Sequence, residues 1–268
     1  AMGRFFEFSY PLSELYDAWH PDRAALPKLW GDDRVLYAEL ARELGQPVLE
    51  LGIGTGRVAR YLASQGIRVV GLDLSKAMIE RAWANIAKLP EEVGKRISIV
   101  WGDMRSFDLG MTLPLAICPF TAFQHLLTVE EQMQALRCIR GHLALGGHLL
   151  LDLFDPKLEL CAPSANVMPR SRQVVHPTTG RTWLVVEECR RNVPEEQLLH
   201  VDWRFIELDE GGKVLNQFYD RLTLRWIYRF EAQHLFERSG FTIVNLWSDY
   251  QRGSFVYGQR QVWLVRKA

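Results

Sequence analysis

The sequence predicts an α/β protein on a doubly wound, mostly parallel seven-stranded sheet, with an inserted antiparallel β meander and an N-terminal helical cap. Three observations predict it. Apolar strand-like runs alternate with helical stripes between residues 46 and 155, a glycine turn joins the first strand to the first helix, and after Pro156 the apolar period becomes two. On this reading residues 1–45 form the cap, 46–155 and 230–268 the sheet domain, and 156–229 an inserted lid.

In chain order, Leu12, Leu15, Tyr16 and Trp19 make one helical stripe and Leu36, Leu40 and Leu44 another, broken by the stretch from His20 to Pro27. A strand from Val48 to Leu51, a glycine turn, a helix with Val58, Tyr61 and Leu62 inward that stops at Gly66, and a strand from Arg68 to Leu72 make a βαβ unit. A helix from Ser75 to about Leu89, strands Ile97–Val100, Leu113–Cys118 and His148–Leu153, and a helix from Thr128 to His142 continue the alternation. In the meander Val201, Trp203 and Phe205 alternate with Asp202 and Arg204, and turn signals at Thr179-Gly180, Pro194 and Gly211-Gly212 divide it into four strands. A helix from Glu231 to Ser239, stopped by Gly240, and strands Thr242–Trp247 and Gln261–Val265 return to the sheet.

The 268 residues carry 32 basic and 32 acidic side chains, and 48% are hydrophobic. A chain of this length buries about three quarters of its unfolded surface, so it supports a large core without disulfides. Zero net charge argues against nucleic acid as a partner. Cys118, Cys138, Cys161 and Cys189 lie far apart with no CxxC pair. With no apolar run near the roughly 18 residues of a membrane span and no secretory signal at the start, a cytoplasmic, membrane-free protein is expected.

The chemistry concentrates in Val48-Leu49-Glu50-Leu51-Gly52-Ile53-Gly54-Thr55-Gly56-Arg57. Glycines between a strand and a helix let a ligand lie against the main chain, close to the unpaired N–H groups of the helix start. The dinucleotide fingerprint GxGxxG would need a third glycine where Arg57 stands, which disfavours a pyrophosphate cradle. Asp73, 23 positions after Glu50, falls at the end of the second strand, where a carboxylate can accept from both ribose hydroxyls. The alternative is a helix cap, a task that Ser75 can perform alone.

With these residues in place the sequence resembles the class I S-adenosylmethionine-dependent methyltransferases, over about residues 45 to 155 and again in the last helix and strands. The resemblance implies a Rossmann-like methyltransferase fold and a cofactor loop made of Glu50, Gly52, Gly54, Thr55, Gly56 and Arg57. It makes Asp73 the ribose acid and Asp103, in Gly102-Asp103-Met104-Arg105, the partner of the adenine amino group. It further implies that Leu74 and Met104 flank the adenine and that Met78 lines its pocket, although Met78 also fits an ordinary core position. The family's reaction is an in-line displacement at a methyl carbon, which needs alignment and a dry pocket and no covalent residue.

The segment Cys118-Pro119-Phe120-Thr121-Ala122-Phe123-Gln124-His125-Leu126 leaves a buried strand at the sheet edge where ligands bind. It is similar to the family's fourth motif beside the transferable methyl, which places Pro119 and Phe120 at the cofactor. Its His-Leu pair is similar to that of small-molecule enzymes such as the amino-sugar N-methyltransferases. His125, with an ordinary pKa near neutral, is a candidate base for the acceptor or a structural histidine near a helix start. Tyr16, beside Asp17, is a candidate catalytic residue reaching the site from an N-terminal helix folded over it, or a packing residue of its stripe. The meander arginines Arg204, Arg221, Arg225 and Arg229 could hold a phosphate or carboxylate. Glu187, Glu188, Glu207 and Asp220 balance them, so a solvated face or a homodimer contact competes. His200 and Asp202 lack a third ligand, and no metal is expected.

The expected function is transfer of a methyl from S-adenosylmethionine to N or O of a small molecule, with S-adenosylhomocysteine as product. A protein or nucleic-acid methyltransferase of the same fold would call for a basic face or an Asn/Asp-Pro-Pro-Tyr/Phe loop, and the matching stretch here is Cys118-Pro119-Phe120-Thr121. A non-catalytic cofactor-binding module and a dehydrogenase also compete with the leading expectation.

Overall fold

The computed structural model describes residues 10–19, 30–162 and 170–268. The expected break from His20 to Pro27 lies outside them, as do the side chains of Tyr10 and Leu12. Helix α1 (Tyr10–Trp19) and helix α2 (Asp33–Leu44) form the beginning of the described chain. Asp32 caps α2 by accepting from the Arg34 amide at 3.0 Å.

Strand β1 (Val48–Leu51), helix α3 (Arg57–Ser64) and strand β2 (Val69–Asp73) are the expected βαβ unit. Helix α4 (Lys76–Ile86), the short helix α5 (Glu91–Gly94), strands β3 (Ile97–Trp101) and β4 (Leu113–Cys118), helix α6 (Val129–Gly141) and strand β5 (Leu143–Phe154) follow. α4 stops short of Leu89 because Pro90 disfavours helical backbone at the residue before it. β5 begins five residues before the expected His148. Gly146, with φ 71°, sits inside the strand, where its register against β4 shifts, so the Gly146-Gly147 pair that reads as a loop is an irregularity within a strand.

After helix α7 (Leu158–Cys161), strands β6 (Arg170–Val175), β7 (Thr182–Val193), β8 (Leu198–Leu208) and β9 (Val214–Arg225) make a four-stranded antiparallel meander in the order β6-β7-β8-β9. Helix α8 (Arg229–Arg238) and strands β10 (Phe241–Trp247) and β11 (Arg260–Lys267) rejoin the first sheet. That sheet has seven strands in the order β10-β11-β5-β4-β1-β2-β3. The five from β3 to β5 are parallel, and β11 runs antiparallel to both β5 and β10.

Both faces of the large sheet are covered. Leu49 and Leu51 of β1 point into a core with Leu136 and Ile139 of α6 and Phe236 of α8, while Val48 points the other way, to Leu36 and Leu40 of α2 and Leu62 of α3. Each such side chain contributes about 1.5–3 kcal/mol on burial. A third cluster joins Leu15 and Trp19 of α1 and Met78 of α4 to Trp183, Val185 and Phe205 of the meander. The four cysteines are free thiols. No helix among the described residues is long and apolar enough to cross a membrane.

Candidate active site

The order of the large sheet reverses between β1 and β4, and a cavity of about 620 Å³ opens beside the carboxyl ends of β1, β2 and β4. The backbone after β1 shapes its floor. Gly52 and Gly54 both have positive φ, 71° and 56°. A Cβ on Gly52 would stand 2.9 Å from that of Ala122, so no larger residue fits there. A Cβ on Gly54 would meet no atom within 4 Å, which leaves its main chain open to a ligand.

Asp73, the last residue of β2, is fixed against this loop. Its Oδ2 accepts from the Gly54 amide at 2.7 Å and its Oδ1 from the Ser75 amide at 2.8 Å. Ser75 caps α4 itself, accepting from the Met78 amide at 3.3 Å, so Asp73 is not needed as the cap. Burial raises the Asp73 carboxyl above its ordinary value against the pull of these amides. Each oxygen retains a lone pair for a further donor.

Glu50 is buried in β1, and burial pushes its carboxyl up to about 8 despite the nearby Arg57 guanidinium. Its Oε2 has no hydrogen-bond partner among the described residues, and neither has the indole N–H of Trp30 on the same cavity. An orphaned acid, an orphaned donor and the open main chain at Gly54 suit a small zwitterion. Arg57 is held by Asp33 of α2, with Nη1 to Oδ1 at 2.9 Å.

Of the residues singled out in the sequence, Tyr16, Glu50, Gly52, Gly54, Thr55 and Arg57 line the cavity. So do Asp73, Leu74, Met78, Asp103, Met104, Pro119, Phe120 and His125. Gly56 does not: it begins α3 at φ 81°, and its task is the turn. Met78 belongs to the core and to the cavity wall together. The Asp103 carboxylate accepts from the Arg105 amide at 2.9 Å and from its guanidinium at 2.6–3.0 Å. Burial opposes ionisation there, but Arg105 holds the carboxyl below its ordinary value. Phe120 and Thr121 lie at φ 52° and 58°, and the Phe120 amide donates to the buried Asp152 carboxylate at 3.0 Å. His125 departs from the near-neutral expectation. Although partly open to the cavity, its imidazole is pushed down to about 4 by burial, so it is uncharged at neutral pH.

The meander supplies the outer wall through Arg172, Trp203, Leu222 and Leu224, and α1 adds Asp17 and Trp19. Neither Arg172 nor Trp30 belongs to a motif or a local pattern that would mark it in the sequence. The arginines that do stand out there are mostly neutralised: Arg204 pairs with Glu188 at 2.5 Å, Arg221 with Asp202 at 2.6 Å and Arg225 with Glu231 at 3.6 Å, while Arg229 lies over the Phe255 ring. His200 bonds to Thr223 at 2.9 Å, and no group of three metal-ligating side chains occurs among the described residues.

Residues 48–147 match the family described as methyltransferase domain. The cypemycin N-terminal methyltransferase of a Streptomyces species is 26% identical over 221 residues, 82% of each chain. The dTDP-4-amino-2,3,4,6-tetradeoxy-D-glucose N,N-dimethyltransferase of Saccharopolyspora spinosa is 27% identical over 143 residues, and this match spans about half of either chain, 52% and 53%. Among solved structures, the CcbJ methyltransferase of Streptomyces caelestis superposes with a TM-score of 0.69 at 28% identity, covering 88% of this chain and 95% of that one. The S-adenosylmethionine-bound CalS10, an amino pentose methyltransferase of Micromonospora echinaspora, gives 0.67 at 25% identity over 99% of both. A glycine loop open to a zwitterion rather than to a pyrophosphate agrees with these relatives, and the chain is a class I S-adenosylmethionine-dependent methyltransferase.

Proposed function

We propose that the acceptor is a small molecule methylated on an amine nitrogen, enclosed between the cofactor loop and the meander acting as a lid. The observation that carries this reading is the cavity shared by the glycine loop and the inner face of the meander, whose outer wall is built from Trp203, Leu222 and Leu224 with the single cation Arg172. Such a wall suits an enclosed small acceptor better than a polyanion. The cypemycin, amino-tetradeoxyglucose and amino pentose enzymes are all named for acceptors bearing nitrogen or for N-methylation, which favours N over O.

In this proposal the Asp73 carboxylate accepts from the ribose hydroxyls, Glu50 faces the ammonium of the methionine end, and the Trp30 indole donates to its carboxylate. Leu74, Met78 and Met104 pack the adenine, and Asp103 stands at its amino group. The cofactor supplies a methyl carbon activated by a sulfonium. The amine lone pair forms the new C–N bond as the C–S bond breaks, and the resulting ammonium releases a proton. Phe120 and Thr121, fixed by Asp152, form the wall next to the transfer, and the uncharged His125 accepts a hydrogen bond from the attacking amine. Holding both reactants in line accounts for most of the acceleration in such displacements. The edge of β9, unpaired among the described residues and with Val214, Leu215 and Tyr219 exposed, supports a homodimer contact, which light scattering would test.

The deciding experiment incubates the protein with S-adenosylmethionine and a panel of amino sugars, peptide N-termini and matched alcohols, with mass spectrometry as readout. A gain of one or two methyl groups on nitrogen is expected. Methylation of the alcohols alone, or of none, overturns the proposal.

A further inference from the structure

Resting on the reading of the outer half of the cavity as the acceptor site, we propose that Arg172 grips an anionic oxyacid group, phosphate or carboxylate, carried by the acceptor away from the methylated nitrogen. Charge accounting in the meander leads to this residue. Five other arginines of the meander are each paired with a carboxylate: Arg181 with Glu207 at 2.9 Å, Arg190 with Glu187 at 3.1 Å, and Arg204, Arg221 and Arg225 with Glu188, Asp202 and Glu231. Arg172 has no such partner among the described residues, and it is the meander arginine that lines the cavity. The other cavity arginine, Arg57, is neutralised by Asp33. The cavity carboxylate nearest in the chain to the Arg172 contact, Asp17, is taken by Thr55, Asn85 and Arg81.

Arg172 is also placed for the task. Its Nη1 donates to the carbonyl of Trp19, the last residue of α1, at 3.0 Å, which orients the guanidinium at the junction of helix and meander. One of five N–H donors is used there, and the planar fork that matches two oxygens of a phosphate or carboxylate remains. Its cross-strand row continues through Val185, Phe205 and Phe218, so no acid on that row competes. With apolar Trp203, Leu222 and Leu224 making up the rest of the meander's wall, this one cation sets the charge that the acceptor must complement.

The test measures binding without turnover. Protein saturated with S-adenosylhomocysteine is titrated calorimetrically with pyrophosphate and, separately, with glutarate, in the wild type, Arg172→Gln, Arg172→Lys and the paired control Arg221→Gln. The wild type and Arg221→Gln should bind at least one anion alike, and the tighter of the two identifies phosphate or carboxylate. Arg172→Gln should bind it about tenfold or more weakly, and Arg172→Lys should lie between, with S-adenosylhomocysteine affinity unchanged throughout. Equal anion affinity in the wild type and Arg172→Gln, or no anion binding by the loaded wild type, overturns the proposal. So does a parallel loss of S-adenosylhomocysteine in both Arg172 variants, which would mark the residue as a clamp on α1 alone. Failure of the small-amine reading shows separately, as absence of methyl transfer across the amine panel.

Discussion

The Thr55 hydroxyl of the glycine loop donates to Asp17 of α1 at 2.6 Å, so the first described helix is tied to the glycine-loop side of the cavity by a side chain of the loop itself. Asp17 also accepts from Asn85 at 2.8 Å and from Arg81 at 3.3 Å. One turn earlier Glu14 accepts from Arg81 at 3.2 Å and from Thr178, in the β6–β7 turn, at 3.0 Å. α1 is therefore a clasp with one acid on the glycine loop and one on the meander.

Replacing Asp17 by Ala leaves three donors without their acceptor. We expect the dissociation constant for S-adenosylhomocysteine to rise about tenfold, the effect of losing a charge-assisted contact. Glu14→Gln should leave that constant near wild type and raise the KM of the acceptor instead. Calorimetry and steady-state kinetics on the two variants check the division, and equal effects on both ligands would remove it.

Asp73 and Asp103 should differ in weight. Asp73 keeps lone pairs facing the cavity after its two amide bonds, whereas the Asp103 oxygens are already shared with the Arg105 backbone and guanidinium. Asp73→Ala is expected to weaken cofactor binding by about 1.5–3 kcal/mol, and Asp103→Ala by less than half of that. Isothermal titration of both variants with S-adenosylmethionine measures the order, and a larger loss for Asp103 would reverse the assignment.

The pH dependence follows from Glu50. Its carboxyl has an ordinary value of 4.5 and is raised to about 8 in the folded protein. Between those values the folded state holds a proton that the unfolded chain has released. Its contribution to stability therefore falls as pH rises through the window and levels off above about 8. Glu50→Gln should remove this slope, so urea midpoints of the cofactor-free variant and wild type should diverge progressively from about pH 5 to pH 9. Parallel curves would show that the group is not held protonated.

Why some of this was legible in sequence and some was not comes down to locality. The glycine loop, Asp73 and the period-two meander are encoded by neighbours in the chain, so spacing alone located them. Asp152 reads as one more polar residue at the end of an apolar strand. Yet it is fully buried, accepts from Phe120, Tyr250 and Arg260 at 3.0, 2.9 and 2.7 Å, and thereby fixes the left-handed backbone beside the cavity. Those partners lie 32, 98 and 108 residues away along the chain, beyond any local pattern. The meander arginines show the same limit. Acids and bases balance there by simple counting, but only the fold reveals which of the arginines without a carboxylate partner faces the cavity, and Arg172 has no neighbour in the chain that would single it out.

His125 carries the last prediction. Burial holds its imidazole at about 4, so over the working range it is uncharged and its protonation does not change. A base titrating near its ordinary value of 6.5 would put an inflection there in the pH profile of kcat/KM. We expect none. The profile should instead rise smoothly as the acceptor amine loses its proton, because only the free lone pair can attack. His125→Gln, which keeps a side-chain hydrogen-bond acceptor, should retain more turnover than His125→Phe, and the Phe variant should fall about a hundredfold if the contact orients the amine. Both should bind S-adenosylhomocysteine as the wild type does. An inflection near 6.5 that disappears in His125→Gln would instead make the residue a titrating base, and a joint loss of cofactor affinity and thermal stability would make it part of the wall.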